Sequence, residues 1–187
     1  MSKKFETKSS KELSKLSHKD ASDAVRLLAK HGDRAQAFLD STHENGGASM
    51  FLKDMSMVNY GDKTHIVGKE PSKITGKAVP TEFEDKGSNN PKLSAVQFAT
   101  HFNRLKEHAK NNKALMGSWI DRRSPKATKK GVQIDLAGGY KNRTTAEKKM
   151  IDRNEDAIVD ASKGFEEIYH ENVRHKYTDT PRPPKEN

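Results

Sequence analysis

A single amphipathic pattern between Ser94 and Asn111 constrains the fold more than any other feature of the sequence. Its apolar residues recur at helical spacing: Val96, Phe98, Ala99, Phe102, Leu105 and Ala109. Such a stripe predicts a helix over 94–111 that must bury one face against another element. Only 32% of the 187 residues are hydrophobic, so few other segments can supply that partner.

The segments that follow this helix predict a small sheet. Short apolar or alternating runs occur at residues 114–121, 131–136 and 157–160. Thr144 or Thr145 can cap a helix between the second and the third of these strands. The order is therefore ββαβ, with the helix and the third strand forming a crossover.

Three further segments are compatible with strands. Residues 64–67 and 77–81 carry short apolar runs around a loop that contains Pro71 and Gly76. Residues 165–170 fit either a fourth strand or the start of a terminal helix. We therefore predict an α+β fold, in which a small ββαβ sheet domain packs on the amphipathic helix.

The region before residue 45 predicts an N-terminal helical hairpin. Asp20 can cap a first helix, Gly32 can end it, and Asp33 can cap a second one. Four regions result from these boundaries. They are a basic disordered arm (1–19), the helical hairpin and its connector (20–63), the α+β domain (64–172) and an extended tail (173–187).

Several classes of protein are excluded or disfavoured by composition. The chain has no cysteine, which rules out disulfides, iron–sulfur clusters and thiol nucleophiles. No apolar run follows the basic start of the chain, and none approaches the ~20 residues of a membrane span. We therefore expect a cytoplasmic or virion protein with no membrane partner.

The common catalytic motifs are also missing from the sequence. There is no G-x-S-x-G, no P-loop and no G-x-G-x-x-G. We therefore expect a protein that is not an enzyme and needs no cofactor. A small nuclease that works with dispersed side chains is the alternative, and its candidates would be Tyr140, Arg143, Glu147 and His170.

The charge of the chain favours a polyanionic partner. Lysine and arginine number 35 against 26 acidic residues, a net charge of +9. Positive charge is densest between residues 104 and 130, where the sequence has nine basic residues and only two acidic ones. The nine candidate nucleic-acid-binding residues are Arg104, Lys106, Lys110, Lys113, Arg122, Arg123, Lys126, Lys129 and Lys130. Phosphate contacts need such clusters, while a solvated loop is the alternative.

Other residues have a structural and a functional interpretation. Trp119 is predicted to pack in the core with Phe102, and a base-stacking platform is the alternative. We expect Phe98, Phe102 and Leu105 to be buried against Trp119, Ile134 and Ile158. Asp121, Asp135 and Asp160 stand near strand ends, where they can cap turns or, alternatively, hold Mg²⁺ together. His101 and His108 are expected on the surface, with no metal bound.

Part of the chain resembles a known group of domains. The run Val67-Gly68-Lys69-Glu70-Pro71 resembles a segment ahead of small domains in actinobacterial phage and mobile-element proteins. Thr75-Gly76-Lys77, Val79-Pro80-Thr81, Gly117-Ser118-Trp119-Ile120-Asp121, Val132-Gln133-Ile134-Asp135-Leu136, Ala146-Glu147 and Glu155-Asp156-Ala157-Ile158-Val159-Asp160 are similar as well. The resemblance covers about residues 67–172, with a longer basic loop at 122–130. It implies a phage or mobile-element context and no catalytic role.

These observations predict a non-enzymatic accessory protein of a phage or mobile element. Its partner would be nucleic acid or the acidic surface of a protein assembly. A virion structural component (capsid, connector or interior protein), ordered by neighbouring subunits, is one alternative. A small toxin-like nuclease is the other.

Overall fold

The computed structural model describes residues 10–121, 130–155 and 157–169. The main helices are α1 (His18–Asn45), α2 (Ala95–His108) and α3 (Arg143–Asp152). The strands are β1 (Gly47–Phe51), β2 (His65–Val67), β3 (Glu82–Glu84), β4 (Ala114–Trp119), β5 (Val132–Tyr140), β6 (Ala157–Asp160) and β7 (Glu166–Tyr169). A short 3₁₀ helix, Ala161–Lys163, separates the last two strands.

All the strands join one antiparallel sheet in the order β1-β4-β5-β2-β6-β7, with β3 pairing to β5. The predicted α+β class is confirmed. The long strand β5 is central, because β4 lies along one edge while β3 and β2 share the other. The chain then passes through α3 to β6, beyond β2, which is the predicted crossover.

The main core lies between the helices and one face of the sheet. The rings of Phe38 and Phe98 are 5.1 Å apart, and those of Phe98 and Phe102 are 5.9 Å apart. Phe102, Ile134 and Leu136 are fully buried. Ser94 caps α2 through a reciprocal bond with Gln97, so the predicted amphipathic helix is confirmed.

Two residues predicted to face this core lie elsewhere. Trp119 is 38% exposed. It pairs with Gln133 and points to the same face of the sheet as that residue, whereas the adjacent pair Ser118 and Ile134 faces the helices. Successive side chains of a strand point to opposite faces. Ile158 is buried in a separate cluster with Val67 and Met150, where α3 covers the sheet.

The predicted helical hairpin is wrong, since the chain does not turn back after its first helix. α1 continues for 28 residues, with non-helical angles only at His31 (φ −136°, ψ 30°), and ends at Gly46. Ala24, Ala35, Phe38, Leu39 and Thr42 are its buried residues on both sides of that kink. Burying one continuous face outweighs the ~1 kcal/mol that Gly32 costs within a helix.

The segment before α1 is partly ordered, although residues 1–19 were predicted to be disordered. Residues 10–13 form a helical turn. Leu13 packs against the main core, and Glu12 accepts a hydrogen bond from the Ser94 hydroxyl (2.7 Å). Residues 1–9 of the arm and the tail predicted to be extended, 173–187, lie outside the described residues.

Two further boundaries differ from the prediction. The expected strand at 77–81 is reduced to an isolated bridge between Pro71 and Ala78, and the strand forms at Glu82–Glu84 instead. The domain boundary predicted at residue 64 falls within the sheet, because β1 pairs with β4.

The remaining elements differ from the prediction only in detail. Asn142, rather than Thr144 or Thr145, caps α3. Of the two possibilities for residues 165–170, the structure has the strand, at Glu166–Tyr169.

Among the described residues, no helix combines the length and the apolar character that crossing a membrane requires.

Candidate nucleic-acid interface

The face of the sheet opposite α1 and α2 carries a row of three side chains, which we call the aromatic row. Trp119 of β4 pairs with Gln133 of β5, and Phe83 of β3 pairs with Gln133 from the other side. Side chains of directly paired residues point to the same face about 4.5–5.5 Å apart. Two aromatic rings therefore flank one amide on three adjacent strands.

The aromatic row is open to solvent. Trp119 is 38% exposed, while Phe83 and Gln133 are partly exposed. Gly47 of β1 lies beside the indole, where an added Cβ would stand 3.1 Å from Cε3 of Trp119 and 2.9 Å from the carbonyl oxygen of Ser118. A glycine at this position therefore leaves the indole room to lie along the sheet.

Basic residues lie at the end of the sheet where the aromatic row is found. The Lys86 ammonium is 5.8 Å from the centre of the Phe83 ring. Gly131 (φ 95°) packs against the backbone of Glu84 and Lys86, so the start of β5 lies beside the end of β3. Lys130 precedes that glycine and is exposed.

Two residues farther along the strands from the aromatic row, the Asp135 carboxyl lies beside two glycines, Gly117 and Gly68. An added Cβ at Gly117 would stand 2.5 Å from Oδ1 of Asp135, and one at Gly68 would stand 3.2 Å from its Oδ2. The same point at Gly68 is 2.9 Å from Oε2 of Glu155. Glycines on both sides therefore make room for the Asp135 carboxyl.

The electrostatic setting of Asp135 is unusual. Burial, with the negative charge of Glu155 as a second cause, raises the pKa of Asp135 to about 7, although Lys69 opposes the shift. Lys69 forms an ion pair with Glu155 at 2.9 Å. No hydrogen bond to the Asp135 carboxyl is found among the residues that the structure describes. A buried carboxyl whose pKa is raised in this way, with no hydrogen bond from the described residues, is typical of functional sites.

The nine predicted nucleic-acid-binding residues do not form one patch where they are described. Lys106, Lys110 and Lys113 are exposed beyond or near the end of α2, which stops at His108. Lys113 precedes β4, whereas Lys130 lies beyond its other end. The register from Ala114 to Trp119 spans five residue steps, about 17 Å at 3.3–3.4 Å per residue.

The other five predicted basic residues are either paired within the protein or outside the described residues. Arg104 forms an ion pair with Glu82, and burial lowers the pKa of its guanidinium. Its charge is therefore engaged within the protein. Four of the predicted residues lie outside the described part of the chain: Arg122, Arg123, Lys126 and Lys129.

Arg104 belongs to a polar contact between β3 and α2 that the sequence did not reveal. His101, expected on the surface, is 4% exposed and lies 2.7 Å from Oε1 of Glu84 and 3.5 Å from Oε2 of Glu82. Gln97 donates to the other oxygen of Glu84 (2.6 Å). The spacing of Gln97, His101 and Arg104 on one helix face was the available signal, but nothing local identified β3 as its partner.

This contact bears on metal binding. Of the described residues, Glu82, Glu84 and His101 have ligand atoms within 4.8 Å of one another. However, Arg104 and Gln97 already engage the two carboxylates. The cluster is explained as a link between strand and helix. The alternative set predicted for Mg²⁺ is not brought together in this way, since Asp160 instead binds Ser162 (2.6 Å) and lies 3.5 Å from His65.

The dispersed nuclease candidates are not gathered either. Tyr140 donates to Glu70 (2.8 Å) within the protein interior. Arg143 and Glu147 pair with each other on the surface of α3 (2.8 Å). His170 lies outside the described residues.

Comparison of the chain with protein families, curated proteins and solved structures found no match. The phage or mobile-element context implied by residues 67–172 therefore stays a prediction.

Proposed function

We propose that this protein binds single-stranded nucleic acid on the face of its sheet opposite α1 and α2, at the end that carries the aromatic row. The observation that carries the proposal is the aromatic row, in which Trp119 is exposed and Phe83 is partly exposed on the two strands that flank β5, with Gln133 between them. Exposed aromatic side chains on a sheet stack with unpaired bases, and a neighbouring amide can hydrogen-bond to base edges.

The charges near the row support the same proposal. Lys86 and Lys130 lie at this end of the sheet, and the chain between β4 and β5 carries five basic residues from 122 to 130. Phosphates of a strand whose bases lie on the row would need cations beside it. A single strand is favoured over a duplex because base faces are accessible only when the bases are unpaired.

The first test replaces the larger ring. Trp119→Ala should weaken binding of a fluorescent single-stranded RNA, because stacking on an aromatic side chain contributes about 1–3 kcal/mol per base, roughly a 5- to 150-fold change in affinity. Fluorescence anisotropy at low salt measures the change. Tyr60→Ala is the matched control, since Tyr60 is 77% exposed and outside the row.

An equal loss in both variants, or no binding by the unmodified protein at low salt, would contradict the proposal. Tighter binding to duplex than to single-stranded RNA of the same length would contradict the choice of ligand.

A further inference from the structure

The Asp135 carboxyl lies within reach of a base bound on the aromatic row, and the inference drawn from it rests on the proposed function. The pair Gly117 and Asp135 is two residues from the pair Trp119 and Gln133 along both strands, on the same face. Two steps span about 6.7 Å, a distance comparable to the width of a base. A base stacked on the row would therefore present an edge to Asp135.

The surroundings of the Asp135 carboxyl would allow it to accept hydrogen bonds from a ligand. Its neighbours across the strands, Gly117 and Gly68, have no side chain to cover it, and no hydrogen bond to it is found within the described chain. The charged groups that face it are Glu155 and Lys69, and these two pair with each other. Neither carboxyl oxygen accepts a hydrogen bond from a described residue, and an ionised carboxylate can only accept.

The Watson–Crick edges of the four bases differ in what they offer to two acceptors. Guanine presents two adjacent donors, its N1–H and its 2-amino group, at the spacing of a carboxylate's oxygens. Adenine and cytosine present one amino group beside an acceptor nitrogen. Uracil presents one N–H between two carbonyl oxygens, which would oppose the carboxylate. Bidentate pairing discriminates strongly because a mismatched base leaves desolvated polar groups unpaired.

We propose that Asp135 is a specificity-determining residue that selects guanine on the aromatic row. Its two oxygens accept from the N1–H and the 2-amino group of a guanine stacked on Trp119 or Phe83. The ligand is thus single-stranded nucleic acid containing guanine, and the other bases are bound less tightly at this position.

The test compares decamers that differ at one base. All-uridine RNA, the same strand with one central guanosine, and the same strand with inosine in place of guanosine are titrated by anisotropy at pH 8. The guanosine strand should bind about 5- to 150-fold more tightly than the all-uridine strand, as expected for one bidentate pair. Inosine lacks the 2-amino group and should lose most of that advantage.

Two further measurements keep the result independent of folding defects. In Asp135→Asn the ratio of guanosine to all-uridine affinity should fall towards one, because an amide has only one acceptor oxygen. In the unmodified protein the same ratio should fall as the pH is lowered from 8 to 5.5, since a protonated carboxyl loses one acceptor.

The outcomes separate this inference from the proposed function. Equal affinity for the three decamers, together with weaker binding by Trp119→Ala, would overturn the guanine assignment and leave single-strand binding in place. Binding of none of the decamers would overturn both. A guanosine preference that survives in Asp135→Asn would overturn the role of Asp135.

Discussion

At the scale of single residues, the space around Asp135 depends on what its neighbours lack. A side chain at Gly117 or Gly68 would collide with the carboxyl, so the two glycines permit it to lie across the strands. In this position it loses water without gaining a hydrogen bond from any described residue, and burial therefore favours its neutral form. Asp160 shows the opposite balance, because burial is outweighed there by the hydrogen bonds from Ser162 and by the nearby His65, and its pKa is lowered.

This difference predicts a pH-dependent change in stability on replacing Asp135. The folded state holds its proton up to about pH 7, whereas the unfolded chain releases it near 3.9. Asp135 therefore reduces stability progressively as the pH rises from about 4 to 7. Asp135→Asn should be more stable than the unmodified protein by about 2–4 kcal/mol at pH 8, and the gain should shrink towards pH 4. Urea denaturation at several pH values measures it.

Asp160→Asn is the control of opposite sign. Because the folded-state pKa of Asp160 is lowered, its contribution to stability is present above the unfolded value and is lost as the pH falls through the folded one. This variant should be less stable than the unmodified protein at pH 8. No gain in stability from Asp135→Asn at pH 8, or a gain that does not shrink towards pH 4, would contradict the raised pKa of Asp135.

At the scale of elements, the two faces of the sheet differ in how far they are buried. On β5, Val132, Ile134 and Leu136 face the helices and are fully buried, whereas Gln133 and Asp135 face the other way and are partly exposed. On β3, Glu82 and Glu84 contact α2, which leaves Phe83 on the opposite face. At this end of the sheet the alternation of the strands thus separates the core from the candidate interface, whereas Leu115 and Ala137, farther along the second face, are buried in a smaller cluster.

This separation predicts different effects for two phenylalanines. Phe102 is fully buried, so Phe102→Ala should lower the free energy of unfolding by about 3–5 kcal/mol. Phe83 is only partly buried, so Phe83→Ala should cost about 1–2 kcal/mol but weaken RNA binding. Urea denaturation and anisotropy on the same samples measure both quantities. An equal stability loss would place Phe83 in the core rather than in the interface.

At the scale of the whole molecule, two groups of exposed basic residues lie at opposite ends of the sheet. Lys106, Lys110, Lys113 and Lys141 are exposed at one end. Lys86, Lys130 and the aromatic row lie at the other. The net charge of +9 attracts polyanions to the whole surface, but only the second group is placed to contact a strand that lies on the row.

Two charge-matched sets of substitutions distinguish the ends. Replacing Arg122, Arg123, Lys126 and Lys130 by glutamine should flatten the dependence of log affinity on log salt concentration. For single strands, the slope becomes shallower by about 0.7 for each phosphate that the protein no longer neutralises. The control replaces Lys106, Lys110, Lys113 and Lys141 by glutamine and should leave the slope nearly unchanged. Anisotropy titrations from low to moderate salt give both slopes.

An unchanged slope in the first set would contradict the placement of the phosphates. Equal flattening in both sets would indicate that the ligand contacts both ends of the sheet.

The sequence by itself determined the elements whose signals are local. The stripe from Val96 to Leu105 has the period of a helix, and the runs in β4, β5 and β6 have the period or apolar character of strands. These periods follow from backbone geometry within a few residues. They specified the α+β class and the β5–α3–β6 crossover.

Only the tertiary structure decided which face of each strand is covered. Alternation shows that Trp119 and Ser118 point in opposite directions, but the large ring was the natural choice for the core. Packing of α1 and α2 on the other face left it exposed. Likewise, Arg104 and Glu82 are 22 residues apart in the sequence, and the pairing of β3 with β5 brings them together. Long-range pairing depends on the fit of whole surfaces, which no short segment encodes.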